Sequence, residues 1–441
     1  MSISRTDEAR LQRFFIFVNH EQFLKTQLLY YNDKIMKIKL LFIAVCATMM
    51  ACNNQNLATN RIELQGTVDN EAFANNVESI SVMNLQMDDN WTFSDYMSVY
   101  LTDNYIYVFD GGNFMSSGNN MRILCFDRQT GGILSSRIIK GNGPGEIIEG
   151  KSIFCIDDTL CIYDAKKVIR KYDHNCSFVG KLHEFSDISD IYDIVRLNSG
   201  KYAFVAIVNS YTDTTNAALM LADESFNILS KHFPISPIEI MFIGVDEPCY
   251  VDGDTIRLIC GYDNHLYTLY GNVEQCIELG LPNPITTEKA NELFEKQEYQ
   301  IVFDNFDGQF SGLCGSGRFL LFKYQLKGEP YLSMVDKRSN KVVSIPRMET
   351  EDAKTTVDLV NRIMCDAWAG KKSYDGYIYA ICQNGRLDCW LEYYDELLDE
   401  RLQKTRASYH ACLERNAEYL KGLEPEERDE ANVLIKIKLK D

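Results

Sequence analysis

The sequence predicts an all-β fold, a six-bladed β-propeller, and three observations lead to it. Short runs of aromatic and β-branched residues recur from residue 77 to residue 390, each bounded by turn residues. A hairpin motif returns along the chain with a period near about 45–50 residues, the length of one four-stranded blade. The chain then ends in an alternating stretch, Asn432–Lys440, that needs a partner strand elsewhere.

The first fifty residues predict an export signal. Lys37 and Lys39 precede an uncharged run over 40–50, which has the length of a signal peptide and is too short to span a bilayer. Met49-Met50-Ala51-Cys52 looks like a bacterial lipobox, with cleavage before Cys52 and lipid on its thiol. We therefore expect an over-extended N terminus at 1–35, a lipoprotein signal peptide at 36–51 and a tether at 52–60. A plain secretory signal or a buried helix is the alternative.

Six apolar runs are predicted to be strands: Val77–Val82, Tyr105–Phe109, Leu160–Tyr163, Tyr202–Val208, Phe319–Phe322 and Tyr377–Ile381. The hairpin motif is an apolar residue, Asp, three residues, then Gly, Ser or Asn. It occurs at Asp127…Gly131, Asp173…Ser177, Asp223…Asn227 and Asp336…Asn340, and in a looser form at Tyr270-Gly271-Asn272. The Asp carboxylate can accept hydrogen bonds from amides two residues on, and Gly or Asn tolerates positive φ.

Successive hairpins are separated by 46, 50, 48 and 65 residues. The long last interval predicts an insert, and residues 286–300 are rich in Glu, Lys, Leu and Ala, so we expect a helix there with Thr286 or Thr287 as N-cap. The sixth unit is expected over 357–390, with Asn384-Gly385 as a type I′ turn. A helix over 393–421 and a closing strand over 432–440 complete it. That strand should share a blade with the strand near Val77 and so close the ring within 61–441.

The loop Lys140-Gly141-Asn142-Gly143-Pro144-Gly145-Glu146 lies between the first two predicted blades. Its glycines allow positive φ, and Glu146 can bond the exposed amides; a ligand-binding rim is the alternative. Gly145–Ser152 matches a phosphate-loop pattern literally, but Ser152 opens a predicted strand rather than a helix, which argues against a nucleotide site.

Together, the lipobox, this loop, the Asp hairpins and the helix before the closing strand resemble the bacterial six-bladed β-propeller lipoproteins, which are similar in shape to NHL and Tol-system propellers. The resemblance covers about residues 61–441, and its most specific part is the loop signature Gly141, Gly143, Pro144, Gly145 and Glu146. It implies a cell-envelope protein anchored to the outer membrane, facing the periplasm or the cell surface. The family is largely uncharacterised, so the resemblance implies no activity.

Twelve cysteines follow Cys52, and none has zinc-site spacing. Most lie in apolar strands and are expected to be small buried side chains. A turn centred on Asp158 would place Cys155 opposite Cys161, so this pair is a possible disulfide.

The sequence predicts no metal site, no cofactor and no catalytic set. The histidines lack metal-binding spacing, and Asp252-Gly253-Asp254 reads as a two-residue turn rather than a calcium loop. Several aromatic residues either pack between blades or line a peptide- or sugar-binding face: Tyr96, Tyr100, Tyr211, Tyr262, Tyr324 and Trp368.

Composition limits the function classes. The 441 residues are 46% hydrophobic and 24% charged, which excludes a disordered or fibrous chain. The net charge is −18, and −21 beyond residue 52, which argues against a general nucleic-acid binder.

We expect a monomeric, non-catalytic binding or scaffold module for an envelope protein, peptide or glycan, held to the membrane only by its lipid. The alternative is a hydrolase or lyase in the central funnel, and three or more convergent carboxylates or histidines there would favour it. The helix at 393–421 either docks a partner or packs on its own blade.

Overall fold

The computed structural model describes residues 61–441 apart from 88–96, 112–120, 187–190, 207–216, 235–246, 348–352 and the positions 287, 290, 291, 294, 295, 297 and 368. The predicted signal peptide, the tether and Cys52 lie outside the described residues. The described residues form six sheets, and the first strands of consecutive sheets contact one another in a closed ring. Each sheet is therefore one blade, and the predicted propeller is confirmed.

The chain enters the propeller through strand β1 Arg61–Glu63, helix α1 Asn70–Asn76 and strand β2 Val77–Val82. Three antiparallel blades follow. Blade 1 contains β3 Met97–Leu101, β4 Tyr105–Asp110, β5 Arg122–Asp127 and β6 Ile133–Ile138; blade 2 contains β7 Gly150–Ile156, β8 Thr159–Asp164, β9 Val168–Tyr172 and β10 Phe178–Glu184; blade 3 contains β11 Ile191–Arg196, β12 Tyr202–Ala206, β13 Leu219–Ala222 and β14 Ile228–His232. In each blade the first strand lines the inside of the ring and the fourth forms the outer edge.

The second half of the chain adds helices to the repeat. Blade 4 contains β15 Cys249–Asp252, β16 Thr255–Cys260, β17 Asp263–Tyr270 and β18 Val273–Gly280, and helix α2 Tyr299–Asn305 follows it. Blade 5 contains β19 Gly308–Ser316, β20 Phe319–Leu326, β21 Glu329–Asp336 and β22 Val342–Pro346. Blade 6 begins after helix α3 Thr356–Asp366 with β23 Ala369–Tyr374 and β24 Tyr377–Gln383, and then come helices α4 Asn384–Glu392, α5 Glu400–Arg415, α6 Ala417–Lys421 and α7 Pro425–Glu430 and strand β25 Asn432–Leu439.

The two ends of the described chain close the ring in blade 6. Strand β25 lies between β24 and β2, with Ile437 opposite Ile378 on one side and Ile80 on the other. This confirms the predicted closing strand and its partner. Its alternating apolar residues, from Val433 to Leu439, are buried in the largest core cluster, which joins blades 5, 6 and 1 to the helices.

The N-terminal segment also ties the outer edges of blades 4 and 5 to blade 6, which the sequence did not indicate. Strand β1 runs parallel to β18, with Arg61 opposite Glu278, and gives blade 4 a fifth strand. Val68 then forms a bridge with Ser344 of blade 5 before α1 begins. Strand edges that would otherwise expose backbone groups are thereby covered.

The predicted Asp hairpins are present. In all four, an Asp carboxylate oxygen accepts a hydrogen bond from the amide two residues on, at 2.8–3.1 Å, as expected for Asx turns. The left-handed residue is Gly131 in the first hairpin and Asn340 in the last, as predicted. In the other two hairpins the prediction was one residue late, because Cys176 and Phe226 have the positive φ instead of Ser177 and Asn227.

The prediction of a turn at Asn384-Gly385 was wrong, since both residues open helix α4. The predicted helix over 393–421 begins earlier and is broken: α4 ends at Glu392, a short 3₁₀ turn covers Asp395–Leu397, and α5 starts after the N-cap Asp399. The side chain of Asp399 accepts from the amide of Leu402 and so fixes the start of α5.

Helix α5 packs on its own blade, which was one of the two alternatives predicted for this helix. Its buried residues Leu402, Thr405, Tyr409 and Cys412 form one stripe against β2. Thr405 donates to the Ile80 carbonyl at 2.7 Å, and the Val82 amide donates to Ser408 at 2.8 Å. The helix thus satisfies backbone groups along the outer edge of blade 6.

The insert between blades 4 and 5 is described only in part. The Lys289 amide donates to Thr286 Oγ1 at 3.3 Å, in agreement with the predicted N-cap, and the described helix α2 follows at Tyr299–Asn305.

Candidate functional site

Side chains from four blades meet at the axis of the ring. Tyr100 lies on β3, Asp193 on β11, Glu247 just before β15 and Lys372 on β23. These strands are the innermost strands of blades 1, 3, 4 and 6, so their side chains can approach one another only near the central channel. We call these four residues the channel group.

Lys372 is the centre of the channel group. Its Nζ lies 3.5 Å from Glu247 Oε1 and 5.1 Å from the centre of the Tyr100 ring. The side chains of Lys372 and Glu247 are 27% and 17% exposed, although the Glu247 Oε1 atom itself is buried. An ammonium above an aromatic face and beside a carboxylate is held by two attractive interactions.

Asp193 is oriented by the neighbouring blade. Its Oδ1 accepts from Ser152 Oγ of blade 2 at 2.8 Å and from the Ile194 amide at 2.9 Å. Ser152, which is buried, accepts in turn from the Ile194 amide at 2.8 Å. The carboxylate therefore has a fixed position between β7 and β11.

Burial and charge together set the protonation states in the channel. Burial alone would lower the pKa of Lys372, but Tyr100, Glu247 and Asp193 raise it above its ordinary value. Burial raises the pKa of Tyr100 to about 12. Burial also raises the pKa of Asp193, although Lys372 and the Ser152 hydrogen bond oppose this shift.

Two thiols lie near the same charges. Burial raises the pKa of Cys155 and of Cys249 well above the ordinary thiol value, and Lys372 lowers both slightly. At neutral pH Lys372 is therefore an ammonium, Tyr100 is a neutral phenol and the two nearby thiols are neutral. A reactive cysteine or lysine needs the opposite shift.

The sequence singled out only Tyr100 of the channel group. Asp193, Glu247 and Lys372 belong to no motif, and they are separated by more than fifty residues. Asp193 lies in strand β11 Ile191–Arg196, which was not among the predicted strands. Among the described residues, the channel group contains two carboxylates, those of Asp193 and Glu247. In the part of the chain that the structure describes, no three His, Cys, Asp or Glu residues are placed to hold a metal ion.

The glycine-rich loop links blades 1 and 2, as predicted. The Gly143 amide donates to Glu146 Oε2 at 2.8 Å, and Lys166 donates to the Asn142 side chain at 3.1 Å. A Cβ on Gly141 would lie 2.0 Å from Glu146 Oε2, so the loop has no room for another residue there. Gly145 is equally confined, because its Cβ would lie 2.5 Å from Phe178. These contacts, which do not involve Pro144, explain the loop as a blade connection.

The possible disulfide does not form. Strands β7 and β8 are joined by the two-residue turn Asp157-Asp158, which pairs Cys155 with Leu160 and Cys161 with Phe154. The two cysteines are therefore one residue out of register and point to opposite faces of the blade. All twelve cysteines after Cys52 have free thiols.

The other residues named in the sequence analysis lie in turns, strands or the protein interior, or outside the described residues. Gly150–Ser152 open strand β7, so the phosphate-loop pattern is not followed by a helix. Gly253 and Asp254 form the predicted turn between β15 and β16. Tyr324 is buried between blades 4 and 5, and Tyr262 is buried against Leu293 and Val302 of the insert. Tyr96, Tyr211 and Trp368 lie outside the described residues.

A different polar chain lies on the outside of the propeller. Ser230 Oγ is 2.8 Å from His232 Nε2, and His232 Nδ1 is 2.7 Å from Glu274 Oε1. Ser230 and His232 belong to β14 of blade 3, and Glu274 belongs to β18 of blade 4. No sequence motif indicated this arrangement, because Glu274 is 42 residues from His232.

A family model described as a 6-bladed beta-propeller matches residues 51–367. A crystal structure from Bacteroides fragilis, described as a candidate exported protein, is 15% identical with a TM-score of 0.58, over 82% of this chain and 95% of that chain. A member of the DUF4221 family from Bacteroides vulgatus is 8% identical with a TM-score of 0.45, over 83% and 99% of the two chains. No curated protein matches. Among the described helices, none combines the length and apolar character that a membrane span requires.

Proposed function

The chain belongs to a family of six-bladed β-propellers, and on this premise we propose that it is a lipid-anchored envelope protein that binds a ligand in its central channel without transforming it. The channel group is the observation that supports this function. A propeller axis can be filled with apolar side chains, and charged groups inside a protein rarely add stability. Four polar residues brought together there from four blades are better explained by a ligand than by folding.

A binding role is favoured over catalysis by the protonation states. Lys372 is kept as an ammonium and Tyr100 as a phenol, so neither serves as a nucleophile or base at neutral pH. The thiols of Cys155 and Cys249 are held protonated as well. The alternative is a hydrolase or lyase in the funnel, which three or more convergent carboxylates or histidines would favour; among the described residues, the channel group contains two carboxylates.

The charge of the channel group indicates the ligand class. Asp193 and Glu247 outnumber the single ammonium of Lys372, so a cation entering the channel would balance the excess carboxylate. The net charge of −21 beyond residue 52 would also attract cations and repel anions. We infer a ligand with an ammonium or guanidinium group, as in a Lys or Arg side chain of an envelope peptide.

The binding experiment compares a five-residue peptide that contains one Lys, with both termini blocked, against the same peptide with acetyl-lysine. Calorimetry should detect binding of the first peptide alone. Glu247→Gln should weaken it by about tenfold, the equivalent of one lost charge-assisted contact. Lys372→Met should strengthen it, because it removes the competing ammonium. The matched control Glu184→Gln, at an exposed carboxylate of blade 2, should change nothing. An affinity equal for both peptides would contradict the proposed ligand class.

The proposed lipid anchor is tested separately, at Cys52. Palmitate labelling that is sensitive to globomycin, with a mature N terminus at Cys52, is the expected result for the anchor. Labelling should be lost in Cys52→Ala. An unlabelled protein that keeps its N-terminal segment would contradict the proposed anchor and leave the channel argument untouched.

A further inference from the structure

The Ser230–His232–Glu274 chain has the order of contacts that activates a serine hydroxyl. A carboxylate at Nδ1 holds the proton on that nitrogen, which leaves the Nε2 lone pair free for the hydroxyl of Ser230. Both contacts are within hydrogen-bond distance, at 2.7 and 2.8 Å. The imidazole is therefore fixed in one tautomer and one orientation.

The three residues of this hydrogen-bonded group differ in their solvent exposure. The His232 side chain is 9% exposed, while Glu274 is 41% exposed and Ser230 is half-buried. The imidazole is thus shielded from water that would compete for its hydrogen bonds. Ser230 as a residue keeps part of its solvent exposure.

In the sheet topology of the described residues, β14 is the last strand of blade 3. Ser230 lies opposite Leu221 on this strand, beside a shift of register. The serine and the imidazole are therefore carried by the outermost strand of the blade.

We propose that Ser230, His232 and Glu274 form a catalytic site for ester hydrolysis on strands β14 and β18, at the outside of blades 3 and 4. Ser230 Oγ attacks the ester carbonyl carbon while its proton passes to His232 Nε2. The C–O bond to the alcohol breaks, and His232 returns the proton to the leaving alkoxide. Water then attacks the acyl-serine with His232 as base, which releases the acid and restores Ser230.

The surroundings favour esters with an apolar group. Ile228 and Leu229 directly precede Ser230, and Tyr270 and Val273 flank the turn before Glu274; all four are exposed. Exposed apolar side chains close to a polar group are suited to an acyl or aryl substituent. This site is independent of the channel group and does not rest on the proposed channel ligand.

The test is covalent labelling of the full chain with a biotinylated fluorophosphonate, followed by peptide mass spectrometry. One label at Ser230 is expected, absent in Ser230→Ala. His232→Gln should slow labelling by about 100-fold or more, the usual contribution of a general base. Glu274→Gln should also slow labelling and leave the melting temperature unchanged. The matched control is Ser135→Ala, on the outer strand of blade 1, where the hydroxyl donates to the His174 carbonyl; labelling should be unchanged.

Hydrolysis of p-nitrophenyl acetate gives a second readout on the same variants. Loss of turnover in Ser230→Ala, with the thermal unfolding profile retained, supports the proposal. A folded wild-type protein that is not labelled at Ser230 would overturn it. Labelling that proceeds equally in His232→Gln would overturn it too, because the three residues would then be a hydrogen-bonded connection between two blades.

Discussion

Two groups of charges inside the propeller differ in how deeply the protein buries them. In blade 2, Arg170 donates to Asp164 where both are almost fully buried, at 6% and 0% exposure. Asp164 Oδ1 also accepts from the amides of Lys166 and Val168 at 3.0 and 3.2 Å. In the channel, by contrast, Lys372 is 3.5 Å from Glu247 and both remain partly exposed.

The difference indicates two roles. The blade 2 pair fixes the turn between β8 and β9, and each carboxylate oxygen of Asp164 has a partner within the blade. The channel group is looser and contains more carboxylates than cations. A partly exposed group with unbalanced charge is suited to exchange partners, whereas a fully buried ion pair is suited to hold a fold. Four predictions test this comparison.

The largest effect is expected from Arg170→Met. It would leave the Asp164 carboxylate buried without its guanidinium, and losing one partner of a buried pair costs about 3 kcal/mol or more. Urea unfolding gives the change in free energy. Lys181→Met, which removes an exposed pair with Glu184, is the matched control and should cost less than about 1 kcal/mol.

An intermediate effect is expected at the Asp336 hairpin, where the carboxylate accepts from Arg318 and from the Arg338 amide. Arg318 holds the pKa of Asp336 well below its usual range, although burial opposes it. This carboxyl binds fewer protons in the folded chain than in the unfolded chain. Its stabilisation is therefore present above the unfolded pKa and is lost as the pH falls toward the folded pKa.

Asp336→Asn should accordingly reduce stability by about 1 kcal/mol at neutral pH. It should also flatten the decline in stability below about pH 4, where the unfolded carboxyl takes up its proton. Thermal unfolding between pH 2 and pH 7 measures both. An unchanged slope in the variant would mean that another carboxyl dominates acid unfolding.

A smaller loss is expected from Lys372→Met than from Arg170→Met, because the Lys372 and Glu247 side chains keep 27% and 17% of their exposure, against 6% and 0% in the blade 2 pair. The comparison fails if this variant is destabilised as strongly as Arg170→Met. Urea unfolding under the same conditions provides the measurement, and ligand binding to the two variants separates folding from function.

The smallest expected effect is on the rate at which thiols are modified. Cys155 and Cys249 should react faster with a cationic methanethiosulfonate than with an anionic one, because the channel group carries excess negative charge. Since burial raises the pKa of both thiols, each reaction should accelerate about tenfold per pH unit near neutrality. Mass spectrometry of the labelled peptides identifies the site. The exposed Cys276 serves as the reference thiol outside the channel.

The sequence predicted the propeller well because each blade repeats local signals. The Asp hairpins and the alternating residues of β25 report on neighbours a few residues away, and they were found where expected. The sequence failed where two local signals competed. Asn384-Gly385 has turn chemistry, but the residues after it, with Leu387, Trp390 and Leu391 buried on one face, favour a helix. The Cys155–Cys161 register failed because the turn is one residue shorter than the spacing suggested.

The channel group was beyond sequence reasoning for a physical reason. Asp193, Glu247 and Lys372 are brought together only by closing the ring, so their spacing in the chain carries no information about their distance in space. The same holds for His232 and Glu274, which meet because adjacent blades place their outer strands side by side. In a closed ring of blades, the sequence therefore predicts the blades, whereas the sites between blades are found only in the structure.

The most direct test of the central claim is a variant with an uncharged channel, Asp193→Asn, Glu247→Gln and Lys372→Met together. If the channel group serves a ligand, urea unfolding should show stability equal to or greater than that of the wild type, as for other buried ionic groups replaced by neutral ones. Binding of the lysine peptide should be lost in the same protein. A loss of more than about 3 kcal/mol, the cost of breaking a buried structural pair, would contradict the account and make the channel charges part of the fold.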